Sequence, residues 1–214
     1  MFESYCFVCG LETNNKYPLC DSCKPTTLKK GMVCRKCGIP TSLFVDQCSM
    51  CITEDIQYKN NYSFFLYSSV AKEILKLYKF KKQIIFSYYY AELIIDYIKG
   101  NFEDPIICPV PTSLIKRKIK NGYQLDPILK ILRYRGLRVE HLLRKRFSKT
   151  QKKLNRVERF NNLNDSFKVV KKIDSNRPII LLDDVFTTGA TINACSKLFK
   201  NSNMTIYSIT LYRD

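Results

Sequence analysis

From about residue 60 onward, apolar residues alternate between two textures. Short continuous runs fit strands, and spacings of three and four line one side of a helix. The runs predict strands at 62–67, 106–110, 139–143, 179–182 and 205–212. The helical spacings predict helices at 70–80, 84–99, 122–135 and 190–200. Val70, Ile74, Leu75, Leu77 and Tyr78 face inward on the first of these, and Ala194, Leu198 and Phe199 on the last. Gly100 is expected to close the second helix. Strands alternating with helices predict an α/β domain, Rossmann-like, on a mostly parallel sheet. The longest apolar stretch, 84–98, is broken by Ser87, Glu92 and Asp96 and reads as a buried helix, too short to span a bilayer. The opening MFESYCFVCG carries no secretory pattern, so a cytoplasmic chain without a transmembrane segment is expected.

The first 55 residues follow a different rule. Eight of the ten cysteines lie there as four CxxC pairs: Cys6/Cys9, Cys20/Cys23, Cys34/Cys37 and Cys48/Cys51. Each pair starts 14 residues after the one before, and CFVCGL echoes CRKCGI, a 28-residue repeat. In a reducing compartment such pairs are metal ligands, and two CxxC turns complete a tetrahedral thiolate site for structural zinc. Gly10 and Gly38 suit the turn that aims backbone amides at sulfur. Eight thiolates suffice for two zinc ions, paired sequentially or in an interleaved cross-brace. With few large apolar residues, this module needs its metal to fold. Residues 1–55 are thus expected to form a zinc module, 52–60 a polar linker, and 60–214 the α/β domain.

Two loops stand out as ligand sites. The strand at 179–182 runs into Asp183 and Asp184, then Thr187, Thr188, Gly189, Ala190 and Thr191 at the start of a helix. A strand, a small-residue turn and a helix N-terminus form an anion site, with Gly189 free to take positive φ and the threonines adding hydroxyls. Carboxylates repel phosphate, so Asp183 and Asp184 must serve ribose hydroxyls, a divalent metal, or both; the plain alternative is a threonine-capped strand end with solvated acids. The second loop, Pro111, Thr112 and Ser113, follows the strand at 106–110. It is either a ligand loop facing the same crevice or a structural turn.

Charge adds a third feature. The chain carries 36 Lys and Arg against 19 Asp and Glu, a net +17. Residues 113–160 hold 16 basic and 3 acidic of these, whereas residues 1–60 are nearly neutral. Lys116, Arg117, Lys118, Lys120, Arg144, Lys145, Arg146, Lys149, Lys152, Lys153, Arg156 and Arg159 make a candidate surface for DNA, RNA or pyrophosphate, with Phe147, Phe160 and Phe167 interleaved as candidate stacking groups. The alternative is a solvated basic face over a phenylalanine core. His141, the one histidine, sits in an apolar strand context and reads as structural.

The acid pair followed by Thr187-Thr188-Gly189 resembles the signature loop of type I phosphoribosyltransferases, which bind phosphoribosyl pyrophosphate (PRPP). Over nearly its whole length the chain resembles the ComF family of competence proteins. The resemblance rests on the cysteines, Lys79-Phe80, Pro109-Val110-Pro111, the series Arg144, Ser148, Gln151, Leu154, Arg159, Asn162 and Phe167, and the loop from Asp183 to Thr191. Two departures lie beside the second loop. Asn121-Gly122-Tyr123-Gln124-Leu125 lacks an arginine the family usually has, and Thr112-Ser113 replaces its common leucine and histidine.

The resemblance implies a type I phosphoribosyltransferase-like domain behind the zinc module. PRPP or a related ribose phosphate would then be held by residues 183–191, with pyrophosphate and Mg²⁺ at 111–113. It also implies a role in natural transformation, with single-stranded DNA and other competence proteins as partners at the inner face of the membrane. Val185 and Phe186 offer no acid or base beside the acid pair, so two functions stay open. One is a DNA-handling competence protein with a PRPP-binding pocket, and the other is an active phosphoribosyltransferase of nucleotide metabolism releasing pyrophosphate.

Overall fold

The computed structural model describes residues 4–28, 32–80, 84–112, 125–146, 166–171 and 176–214. Its elements run in chain order as β1 (Ser4–Tyr5), β2 (Glu12–Thr13), α1 (Ser49–Thr53), β3 (Asn61–Leu66), α2 (Ser69–Phe80), α3 (Ile85–Asn101), β4 (Ile106–Pro109), α4 (Asp126–Tyr134), β5 (Arg138–Val139), β6 (Leu143–Lys145), β7 (Phe167–Val169), β8 (Ile179–Phe186), α5 (Ala190–Lys197) and β9 (Ile206–Arg213). Five strands form a parallel sheet in the order β3-β9-β8-β4-β5. The predicted α/β class with a parallel sheet is thus the observed one. The aliphatic run of β8 explains its central place. Ile179, Ile180, Leu181 and Leu182 are all buried, as a strand covered on both faces requires.

Strand alternation sorts the core into two layers. On one face Ile107, Ile180, Leu182 and Ile209 pack with α2, α3 and α4; on the other Ile106, Cys108, Ile179 and Leu181 pack with α5 and the β6–β7 hairpin. Helix α3 supplies Phe86, Tyr90, Ile94 and Ile98 at four-residue spacing, all at most 1% exposed. Each such burial contributes on the order of 2 kcal/mol before entropy is counted. The Tyr90 hydroxyl meets that of Tyr212 at 2.5 Å inside this layer.

The edges of the sheet are handled differently. β5 is two residues long. The open side of β3 is covered by the segment joining the two cysteine repeats. Leu28 N–H donates to Phe64 O (3.1 Å), Leu66 N–H donates to Thr26 O (2.9 Å), and Thr27 bridges Phe65 in antiparallel sense.

Several boundaries move from their sequence-predicted places. β8 does not stop at Leu182; it continues through the acid pair because β9 keeps pairing with it, Asp183 to Thr210 and Phe186 to Arg213. α3 runs through Gly100, and its last turn closes with Phe102 N–H on Ile98 O. α5 ends at Lys197, three residues early. The single strand expected at 139–143 is two, because Glu140 N–H makes a last bond to Ile107 O and the chain then leaves the sheet for the β6–β7 hairpin. His141 lies exposed at that departure, outside any strand. Among the described residues, no helix is long and apolar enough to cross a membrane.

Candidate functional site

The two loops singled out by sequence lie side by side. β4 and β8 are parallel neighbours, in register from Ile106 with Ile179 to Pro109 with Leu182, and Val110 N–H still donates to Leu182 O at 2.9 Å. The connection from β4 leads through α4 to β5 on one side, while that from β8 leads through α5 to β9 on the other. Adjacent strands whose connections part in opposite directions leave a crevice at their carboxyl ends, the usual ligand position in such sheets. Pro111 and Thr112 stand on one side of this switch point, and residues 183–191 on the other. The Thr112 hydroxyl is buried with no hydrogen-bond partner among the described residues, which fits a loop built to meet a polar ligand. Ser113 lies outside the described residues.

Local geometry explains the turn after β8. Gly189 caps α5 at φ +78°. A Cβ there would lie 2.5 Å from Phe186 Cζ and 3.2 Å from the Tyr58 hydroxyl. Only glycine meets both demands, left-handed backbone and closeness to two rings. Thr187 and Thr188 are exposed, Ala190 and Thr191 half-buried, and Thr188 Oγ1 accepts from Ala190 N–H at 3.4 Å. The acid pair obeys strand alternation. The charge of Asp183 is felt by Cys195 on the α5 side, and that of Asp184 by Tyr78 on the α2 side. The carboxylates therefore straddle the strand, and a ligand touching both must reach across β8 just beyond its last pairing with β4.

The cysteines gather into two groups, Cys6/Cys9/Cys20/Cys23 and Cys34/Cys37/Cys48/Cys51, with ligand atoms of each group within 4.8 Å of one another. The grouping is sequential rather than cross-braced. All ten cysteines are free of disulfides. Both groups use the same turns. Gly10 N–H donates to Cys6 O and Gly38 N–H to Cys34 O, each at 2.8 Å, with φ of +77° and +75° at the glycines. Sulfur pairs stand at 3.7 Å (Cys9–Cys20), 3.8 Å (Cys37–Cys48) and 3.9 Å (Cys34–Cys51). Zn–S bonds of about 2.3 Å give a tetrahedron edge of about 3.8 Å, so each group could hold one zinc ion. Cys48 N–H also donates to Cys34 Sγ at 3.2 Å, an orienting bond to a ligand atom. The two remaining thiols play no such part: burial pushes Cys108 up to about 12 and raises Cys195 as well, as expected of inert core cysteines.

Part of the basic segment is visible. Arg144 pairs with Lys168 across the β6–β7 hairpin, Lys145 with Phe167, and Arg146 N–H donates to Ser166 O. Arg144 and Arg146 are exposed. Phe167 is not a stacking group, because it is 2% exposed in the core beneath the hairpin, with Lys145 Nζ 5.4 Å over its ring. Lys116, Arg117, Lys118, Lys120, Lys149, Lys152, Lys153, Arg156, Arg159, Phe147 and Phe160 lie outside the described residues.

No protein-family model matches the chain. Three curated proteins are similar over most of it. Competence protein F of Haemophilus influenzae is 26% identical across 86% of this chain and 85% of its own. Competence protein ComFC of Bacillus subtilis is 28% identical across 91% and 84%, and that of Streptococcus pneumoniae 24% across 88% and 84%. The chain is thus similar, over most of its length, to three competence proteins of the ComF type. Among solved structures, an adenine phosphoribosyltransferase from Thermoanaerobacter pseudethanolicus aligns over 63% of this chain and 84% of its own, at TM-score 0.41 and 15% identity. A hypoxanthine phosphoribosyltransferase from Staphylococcus aureus aligns over 60% and 62%, at TM-score 0.36 and 14% identity.

Of the positions that carry the ComF resemblance, Pro109 ends β4, Phe167 opens β7, and the two acids lie within β8, which closes at Phe186. Ser148, Gln151, Leu154 and Asn162 lie outside the described residues. Three residues at this site escaped the sequence reading. Tyr58, in the supposed polar linker, is 2% exposed and packs edge-to-face on Phe186 at 6.2 Å. Arg213, 4% exposed, donates through Nη1 to Phe186 O at 3.3 Å and covers its ring at 5.1 Å. Asn193 is buried in α5 and bonds the linker backbone. An amide on the inward face of a short helix, and an arginine ending an apolar strand, were the available signals.

Proposed function

We propose that this chain is a competence protein that handles incoming single-stranded DNA and holds PRPP, with Mg²⁺, in the crevice between β4 and β8. Residues 1–55 form its metal-binding module and residues 60–214 its ligand-binding domain. The names of its relatives support the competence role. The observation that carries the pocket reading is the convergence of the 111–112 and 183–191 loops on one switch point, with Gly189 left-handed at the head of α5. The 5-phosphate would meet the first amides of α5 and the hydroxyls of Thr187, Thr188 and Thr191. Asp183 and Asp184 would take the ribose hydroxyls from the two faces of β8, just beyond its last pairing with β4. Thr112, with Pro111 and Ser113, would line the pyrophosphate and its Mg²⁺.

DNA belongs elsewhere, because carboxylates placed for two ribose hydroxyls lose one partner with deoxyribose. The basic residues at 116–120 and 144–159 are assigned to it. Calorimetry tests the pocket: PRPP with Mg²⁺ should bind the native chain, and Asp183→Ala/Asp184→Ala should remove that binding, whereas equal affinity in the variant sinks the assignment. Single-stranded DNA binding should fall steeply with salt. Neutralising Lys149, Lys152 and Arg156 should weaken it further, and salt-insensitive binding would contradict the reading.

A further inference from the structure

The linker between the second cysteine group and β3 is gripped by the helix that opens at the anion loop. Asn193 Nδ2 donates to Asp55 O at 2.9 Å, and Asn193 Oδ1 accepts from Gln57 N–H at 2.9 Å. Asn193 N–H itself donates to Gly189 O at 2.9 Å, closing the first turn of α5. One residue beyond Gln57, Tyr58 seats its ring against Phe186 and its hydroxyl against Gly189.

The same linker is fastened to the cysteine group at both ends. Cys51, a ligand within α1, precedes Asp55 by four residues. On the far side, Asn61 N–H donates to Lys36 O (2.9 Å) and Asn61 Nδ2 to Cys37 O (3.3 Å), while Lys36 Nζ lies 5.6 Å over the Tyr58 ring. The first cysteine group packs in the opposite layer, against α3, and its cysteines share no part of this chain of contacts.

We propose that Asn193 is a positioning residue that couples the 187–191 loop to the Cys34/Cys37/Cys48/Cys51 centre, so that a ribose phosphate in the loop and a metal in that centre stabilise each other. The coupling rests on the crevice reading above. Neither ligand touches the other; the amide fixes the linker that the metal organises, and the linker supports Phe186 and Gly189 from beneath. Linkage makes the effect reciprocal, so it can be read at the metal as well as at the loop.

The experiment uses full-length protein loaded with zinc and titrated with a chromogenic chelator, with and without PRPP and Mg²⁺. PRPP should protect one of the two zinc ions about tenfold, within the usual span of coupling between sites. The protected ion should be the one retained in Cys9→Ser. Asn193→Ala should keep both ions, lose the protection and bind PRPP about tenfold more weakly. Asn193→Asp, which retains the acceptor for Gln57 and loses the donor to Asp55, should fall between, and it serves if the alanine variant does not fold. Asp183→Asn/Asp184→Asn controls for chelation by PRPP itself. Protection of neither ion or of both, with PRPP bound by calorimetry, overturns the coupling alone, as does protection unchanged in Asn193→Ala. No PRPP binding to the native protein overturns the crevice reading and the coupling with it.

Discussion

The two cysteine groups share a repeat, turn for turn, yet meet the sheet in different ways. The first lies over α3 through rings and apolar contacts: Phe7 on Phe86 at 6.0 Å, Tyr17 on Tyr89 at 5.1 Å, and buried Leu19. Its polar ties there meet at the surface on one carboxylate, that of Glu92, which pairs with exposed Lys16 and hydrogen-bonds Tyr17. The second lies over a buried polar network. Asn61 joins Cys37 O, Ser63 and Ser208, and Ser63 meets Thr210 at 2.7 Å. Apolar contact tolerates small shifts, whereas a closed set of buried hydrogen bonds fixes position and register. A duplicated motif has thus been fitted once for cover and once for placement, and the placed copy is the one that reaches the turn between β8 and α5.

The largest test of this contrast removes a ligand from each group. Cys34→Ser, at a position 0% exposed, should lose one zinc per chain and lower the melting temperature by roughly 10 °C or more, since structural zinc contributes folding free energy directly. Cys9→Ser, at an exposed position, should also lose one zinc but melt closer to the native protein. Metal analysis with thermal scans reads both, and equal losses would erase the contrast. Next in size, Asn61→Ala should cost about 1–3 kcal/mol by chemical denaturation, because Ser208 and Cys37 O lose a buried partner. The smallest effect belongs to the first group's ion pair. Lys16→Ala should change stability by less than about 1 kcal/mol, since Lys16 is 70% exposed and well screened by solvent. A larger loss would mean that the first group, too, is held by charge.

Local signals carried the fold a long way. The aliphatic run of β8, the four-residue spacing of α3 and the CxxC ladder each speak through residues close in sequence, and each produced its element. The membership of the cysteine groups was open because spacing permits two pairings; which one forms depends on how each repeat packs against the sheet. The extent of β8 was missed for a related reason. Asp183 and Asp184 are poor strand formers, kept in the strand by pairing with β9 some 27 residues later. Within the site, Gly189 and the threonines were legible because a turn into a helix has its own grammar. Asn193 was not, since its partners lie 136 and 138 residues away in a stretch whose composition reads as solvated. Phe167 shows the opposite error: flanking charge suggested a surface ring, and the hairpin buries it.

The strap at residues 26–28 carries a further consequence. It covers the free edge of β3 and is strung between the two cysteine groups, so its hold on that edge depends on both anchors. Stripping the metal would do more than loosen the module. It would bare a six-residue strand edge rich in tyrosine and phenylalanine, the kind of surface on which sheets join sheets. A metal held by these cysteines would therefore guard against self-association, and metal starvation would be read first as aggregation.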